Sequence, residues 1–454
     1  MTDFASAFAT PVPSIPRVPG LPVLGNLLQF RSDRLALQEL AARTGPIARL
    51  QLAHIPVYTV TDADLAHEVL ATHADKFAKS EGLAMLRPLL GEGLLTSEGS
   101  THRRHRKLLA PAFAPKRLAA YGDVMVSETE AQLARWRAGD RLDLAEEMMQ
   151  MTLAIAGRTL FGADVRGDAE AVGRGLELAM RAQMEMLLSP VRLGYNWPLP
   201  RHLRMRRAVA ILDEVVYRLI REGRARGTDG GDVLSILLLA RDEDDGKGLT
   251  DAEVRDEVMT LLLAGHETTA NALTWTWYEL GKNPDALARL TAELDEVLGD
   301  RAPTADDLPR LPWNLAVIEE AMRLHPPAYA TGREATEALE LGGHRLPAGA
   351  IVLVNIRGIH RRADYFPDPA AFKPERMLEA AKKARPRHHY LPFGAGPRVC
   401  IGSHFALLEA QLALATMARR VRLRLLSHDV APEPLVTLRP RGGMPVVVET
   451  RASR

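Results

Sequence analysis

The sequence predicts a mostly α-helical fold with a minor β portion. Three observations carry this. Most of the chain after residue 60 is rich in Ala, Leu, Glu and Arg, with apolar residues three and four apart, as a buried helix face requires. Alternating β-branched patterns are confined to 47–60, to Leu339–Asn355 and to the stretch after Val421. No Ser/Gly-rich linker, repeat or low-complexity block divides the interior, so 23–454 reads as a single domain. With 46% hydrophobic residues in 454, the chain can bury a large core.

The first 22 residues read as an extended arm stiffened by Pro11, Pro13, Pro16, Pro19 and Pro22. Met1–Thr10 has neither a basic start nor a long apolar run, so it does not read as a signal peptide. Nowhere do about 18 apolar residues run together, so no membrane anchor is expected and a cytoplasmic protein is. Lys and Arg number 58 against 57 Asp and Glu. No global field then draws the chain to nucleic acid or to a membrane. Two short strands are expected within 47–60.

The next informative stretch is the basic run His102-Arg-Arg-His-Arg-Lys107. At helical spacing His102 and Arg106 share one face, and Arg103 and Lys107 another. A solvated surface explains the second pair. Further on, Thr250-Asp-Ala-Glu253 is a capping box and opens the longest helix, 251–280, which Gly281 and Asn283-Pro284 end. Its middle reads Ala264-Gly265-His266-Glu267-Thr268-Thr269, a poor choice for a helix interior. Thr268 can bond back to the Ala264 carbonyl and bend the helix, opening a gap that can hold water. A Glu buried there is costly without a role. The pair His266-Glu267 does not begin a zinc motif, because position 270 is Ala. Simple packing of the threonines is the plainer alternative.

Leu311 to His325 is a further helix, stopped by Pro326-Pro327, with Glu320 and Arg323 one turn apart. The only cysteine, Cys400, lies in Phe393-Gly-Ala-Gly-Pro-Arg-Val-Cys-Ile-Gly402. One cysteine can form neither an internal disulfide nor a multi-cysteine metal site. Gly394, Gly396 and Pro397 preset a tight turn. Phe405, Leu408, Leu412 and Ala415 then mark a buried helix face. A sulfur just ahead of a helix N-terminus is favoured as a thiolate. A buried structural cysteine is the common case, but this punctuation favours a metal ligand.

The loop from Phe393 to Gly402 resembles, at every fixed position, the F-x-x-G-x-R-x-C-x-G haem loop of the cytochrome P-450 family. The resemblance extends from about Pro16 to Val448. Ala264–Thr269 is similar to the family's A-G-x-[DE]-T-T motif. Glu320 and Arg323 match its E-x-x-R, and 372–377 its P-E-R-F element, with Met377 for the last Phe. The resemblance implies the P-450 fold, with haem between the long central helix and the cysteine-loop helix. It makes Cys400 the axial thiolate of haem b, with Phe393, Gly394, Gly402 and Ala264 against the cofactor. His102 and Arg106 align with W-x-x-x-R and, with Arg333 and Arg398, would hold the propionates. Here His replaces Trp. Glu267 and Thr268 take the acid and alcohol roles in proton delivery to oxygen. By the same resemblance Glu320, Arg323 and Arg376 would form a structural ion cluster.

The family layout also implies a substrate pocket drawn from 80–95, 181–207, 260–268, 326–331 and 439–444. It includes Met85, Leu86, Leu94, Met184, Met186, Leu187, Leu263, Ala328, Tyr329 and Met444, an apolar, Met-rich set suited to a hydrophobic small molecule. Arg87 and Arg181 are possible anchors for a carboxylate. The implied function is a bacterial-type monooxygenase that inserts one atom of dioxygen, by hydroxylation or epoxidation. With 54 residues after Cys400, no fused reductase is expected. Electrons would come from a separate ferredoxin or flavodoxin and its NAD(P)H reductase. The alternatives are a haem-thiolate peroxygenase or isomerase, and a haem-binding sensor without turnover.

Overall fold

The computed structural model describes residues 14–189, 194–241 and 246–450. Part of the proline-rich arm (1–13) and residues 190–193 of the expected pocket lie outside these. The helices that build the site are α1 (Arg34–Thr44), α2 (Gly99–Leu109), α3 (Pro115–Leu133), α4 (Leu144–Leu160), α5 (Ala169–Leu187), α6 (Pro200–Arg226), α7 (Asp251–Lys282), α8 (Pro312–Leu324) and α9 (Ser403–Arg420). The strands are β1 (Ile47–Leu52), β2 (Ile55–Val60), β3 (Phe77–Lys79), β4 (Arg141–Asp143), β5 (Thr331–Ala335), β6 (Leu339–Leu341), β7 (His344–Leu346), β8 (Ile351–Val354), β9 (Val421–Leu425), β10 (Pro432–Pro434), β11 (Leu438–Pro440) and β12 (Pro445–Thr450).

The expected helix at 251–280 is present as α7. Thr250 accepts from the Glu253 N–H while Glu253 returns a bond to the Thr250 N–H, so the capping box holds the N-terminus. Nearly every side chain beyond Val254 is buried, because α4, α6, α8 and α9 pack around α7 in one apolar core. Gly265 lets α4 come close: a Cβ there would stand 3.1 Å from Leu160.

The larger sheet runs β1-β2-β8-β5-β3, antiparallel except for β2 against β8. Strands β1 and β2 fall where alternation placed them. Strands β3 and β5 were not expected, because three to five residues are too few to show a period. The arm docks on this sheet. Val18 is buried and donates its N–H to Arg49 O at 3.0 Å. No helix among the described residues is long and apolar enough to cross a membrane.

Candidate functional site

The cysteine loop is built by backbone constraint. Gly394 and Gly396 take φ of +72° and +71°, and a Cβ at Gly396 would lie 1.9 Å from the Leu70 carbonyl oxygen. The turn closes with Val399 N–H on Gly396 O and Cys400 N–H on Phe393 O, both 3.0 Å. Gly402 then caps α9. Cys400 is exposed on one side yet otherwise ringed by protein. Burial raises its thiol pKa, and the Gly402 N–H and Arg106 offset only part of this. The thiolate expected of Cys400 is that of an iron ligand, and the cation it binds would stabilise the anion against this burial.

Helices α7 and α9 pack together, and α7 carries Ala264, exposed midway along an otherwise buried helix. One turn on, the Thr268 hydroxyl donates to Ala264 O at 2.8 Å, as the helix-bending reading required. Glu267 is buried, as the sequence reading had it. Its carboxylate turns inward and accepts from Thr437 Oγ1 at 2.5 Å, and Thr437 in turn accepts from Asn271 Nδ2 at 3.1 Å. Burial raises the Glu267 pKa, with Thr437 and Arg439 opposing. Thr437, on the β10–β11 turn, carried no signal in the sequence.

A group of cations lies beside the loop. Arg106 Nη1 reaches Val399 O at 2.8 Å and so ties α2 to the cysteine turn. Arg398 pairs with Glu98, while its Nη1 is buried without a partner. Arg333 is buried on β5 and bonds Thr331 Oγ1 and Gly332 O, both at 3.0 Å. Lys79, which sequence reasoning missed, donates to Leu94 O and Ser97 O at 2.9 and 2.6 Å. Burial and then Arg398 lower Lys79 to about 7 and Arg333 to about 10. Buried His102 falls to about 4 through burial and then Lys79, Arg398 and Arg106. Basic groups that depress one another this way, one with an orphaned guanidinium nitrogen, fit a doubly anionic ligand. Haem propionates are such a pair.

The ion cluster is present. Glu320 takes two 2.8 Å bonds from Arg323, both fully buried, and lies 3.5 Å from Arg376 Nε. Of the expected pocket residues, Met85, Leu86, Met184, Leu187 and Tyr329 line one cavity of about 450 Å³. Ala328 is exposed and Leu263 half-buried, away from that lining. Leu94 and Met444 are corrected. Leu94 is held in the core by its N–H on Glu257 Oε2 at 3.1 Å. Met444 is fully buried behind β4, where Asp143 and Leu144 fix its backbone. Arg87 and Arg181 are exposed and paired with Glu92 and Glu177, so neither faces the cavity.

A cysteine turn at a helix start, a central helix that exposes Ala264 beside a back-bonded Thr268, and a group of cations next to the turn are what a haem-thiolate protein requires. Comparison with known proteins agrees. The chain matches the family model Cytochrome P-450 over residues 15–444. It is 41% identical to cyclooctatin synthase of Streptomyces melanosporofaciens, covering 94% of this chain and 92% of that one. It is 37% identical to cyclooctat-9-en-7-ol 5-monooxygenase of the same organism, covering 95% and 94%. Against pentalenene oxygenase of Streptomyces avermitilis the identity is 34%, covering 92% and 93%. The crystal structure of the cytochrome P-450DA haem domain superposes with a TM-score of 0.87 at 28% identity, over 96% of this chain and 98% of that one. The chain belongs to the cytochrome P-450 family. It is a haem-dependent monooxygenase, an oxidoreductase that incorporates molecular oxygen.

Proposed function

We propose that this enzyme hydroxylates or epoxidises a largely hydrocarbon substrate, with Glu267 and Thr268 managing the protons. A separate ferredoxin or flavodoxin, with its NAD(P)H reductase, would supply the electrons. The observation that carries the reading is the Thr268–Ala264 bond beside a buried acid, Glu267, whose pKa burial raises. A carboxyl with a raised pKa is suited to donate near neutral pH, and the threonine hydroxyl can position a proton one turn away. Bound through Cys400, haem supplies oxygen activation, since an anionic sulfur pushes electron density onto the iron and favours O–O cleavage. His102, Arg106, Arg333 and Arg398, joined by Lys79, would hold its propionates, while Phe393, Gly394 and Gly402 shape the loop beneath it.

The apolar cavity wall supports a hydrophobic substrate. Two relatives are named for oxygenating an alkene and an alkenol, which fits that class. The need for NAD(P)H and the Streptomyces relatives favour a bacterial cytoplasmic setting. The test is spectroscopic. Dithionite-reduced protein with carbon monoxide should show the strongly red-shifted Soret band of a thiolate-ligated haem. Cys400→His should abolish both the band and the activity. Because no other thiol exists, an unchanged band in that variant ends the reading.

A further inference from the structure

Glu257 on α7 is fully buried and belongs to none of the motifs in the sequence. A carboxylate is costly in such a place unless its oxygens are matched. Here they are matched to two different walls. Oε1 takes the Nδ1 proton of His105 on α2 at 2.7 Å, and Oε2 takes the Leu94 N–H, from the loop before α2, at 3.1 Å. His105 is itself fully buried, and its Nε2 faces Glu253 Oε1 at 3.4 Å. Burial alone would lower the His105 pKa, but Glu257 and then Glu253 raise it, which favours an imidazolium donating at both nitrogens. The loop lies flush against α7. Glu92 N–H donates to Asp256 Oδ2 at 2.8 Å, and a Cβ at Gly93 would meet Asp256 O at 2.7 Å.

Both walls carry members of the cation group. On the helix side, His102, His105 and Arg106 fall within an arc of about 100°. Fixing His105 therefore sets the rotation of α2 that presents the other two, with Arg106 on Val399 O. On the loop side, Leu94 O accepts from Lys79 Nζ at 2.9 Å, so Glu257 and Lys79 grip the N–H and the C=O of one residue. Ser97 O takes the same Nζ at 2.6 Å, and Glu98 accepts the Lys79 N–H while pairing with Arg398. One oxygen of Glu257 thus locates Lys79 and Arg398, and the other locates His102 and Arg106. We infer that Glu257 is a positioning residue of the propionate site, holding loop 91–98 and α2 at the separation where these four groups meet one doubly anionic ligand. The inference rests on the propionate reading and adds to it a residue that touches no cofactor. Simple bracing of the core is the alternative, and bracing makes no distinction between a cofactor with carboxylates and one without.

The test follows loss of cofactor to an acceptor protein from enzyme reconstituted with haem or with haem dimethyl ester, whose propionates are capped and uncharged. Wild type should release the ester at least about tenfold faster than haem, the scale of a hydrogen bond to a charged group. Glu257→Met keeps the bulk but neither bond. It should speed haem loss by roughly tenfold and leave ester loss unchanged. Glu257→Gln can still bond both partners once His105 gives up its charge, and should recover most of the retention. His105→Leu releases α2 alone and should show the same selectivity at smaller size; it carries the test if the Glu257→Met protein does not take up haem. Equal acceleration of both cofactors, or no acceleration of haem loss in either variant, would overturn the inference. The wild type and its carbon monoxide band keep the readings apart. Equal loss of haem and ester from wild type with a normal band sinks the propionate assignment, and the inference with it. A missing band sinks the haem-thiolate assignment. Variants that lose both cofactors alike, where wild type tells them apart, sink the role of Glu257 alone.

Discussion

Lys79 and Arg333 stand directly opposite one another across the β3–β5 pair. Like charges in that position weaken a sheet, and Arg398 adds to the repulsion felt by both. Glu98 offsets only part of it. The arrangement makes sense if an anion completes it, which gives a prediction of opposite signs. Lys79→Met should stabilise the haem-free protein, yet speed loss of haem to an acceptor protein by roughly tenfold. The pH dependence has a definite direction. Burial and Arg398 lower Lys79 from 10.5 to about 7. Between those values the unfolded chain binds the extra proton, so stability of the haem-free form rises with pH and the variant flattens that rise. A variant less stable in both forms would show that Lys79 merely braces Leu94 and Ser97.

Thr268 and Glu267 should separate in their effects. Thr268→Ala leaves the haem spectrum and substrate affinity largely intact but releases much more hydrogen peroxide per NADPH. Glu267→Gln slows turnover by roughly 10²–10⁴-fold, the range of a lost acid–base group. Thr437 offers a finer probe. Its bond favours the charged form of Glu267, so Thr437→Val should move the corresponding limb of the pH–rate profile upward. Full coupling at wild-type rate in both primary variants would remove the acid–alcohol assignment.

Glu409 on α9 presents another acid that no motif suggested. Both carboxyl oxygens are buried without a hydrogen-bond partner. Burial pushes its pKa well above 4.5, with only Thr269 opposing. The folded chain therefore keeps a proton that the unfolded chain releases, and stability falls as pH rises above about 4.5 until Glu409 ionises. Glu409→Gln should unfold at higher denaturant than wild type at pH 8 and show a flatter pH dependence, at equal haem occupancy. Parallel curves for the two proteins would mean that Glu409 is charged and paired in the fold.

What was legible in the sequence was local. The capping box of α7, the Thr268 back-bond and the Glu320–Arg323 pair each follow from spacing within one helix, and each is present. The cysteine loop was legible because its glycines are fixed by backbone geometry at Gly394 and Gly396. Residues recruited across the fold left no such trace. Lys79 comes from a three-residue strand and Thr437 from a turn. Met444 failed for a related reason: an apolar residue near a pocket cannot be told from core until the packing of β4 and β12 is known.

The route of electron arrival is the remaining prediction, and the structure trims it. Two basic groups were expected to border the cysteine side: Arg103 and Lys107 on α2, and Arg385, Arg387, His388 and His389 before the loop. Arg103, Lys107 and Arg387 are exposed. Arg385 instead lies over the Phe366 ring at 4.7 Å, His389 stacks on Tyr365 at 3.9 Å, and His388 pairs with Asp64 at 2.6 Å. These three groups are engaged in packing or ion pairs within the fold. Ferredoxins and flavodoxins are generally acidic, so the three exposed cations could steer one despite a near-zero net charge. Ordinary solvated charges make no demand on kinetics, whereas steering does. Reduction by the partner should slow steeply with salt, because charges are screened over about 8–10 Å at physiological ionic strength. Reversing Arg103, Lys107 and Arg387 together to Glu should slow that reduction at low salt and flatten its salt dependence. The carbon monoxide spectrum and substrate affinity should stay as in wild type. Stopped-flow reduction of the triple variant at the wild-type rate in low salt would rule out this docking face.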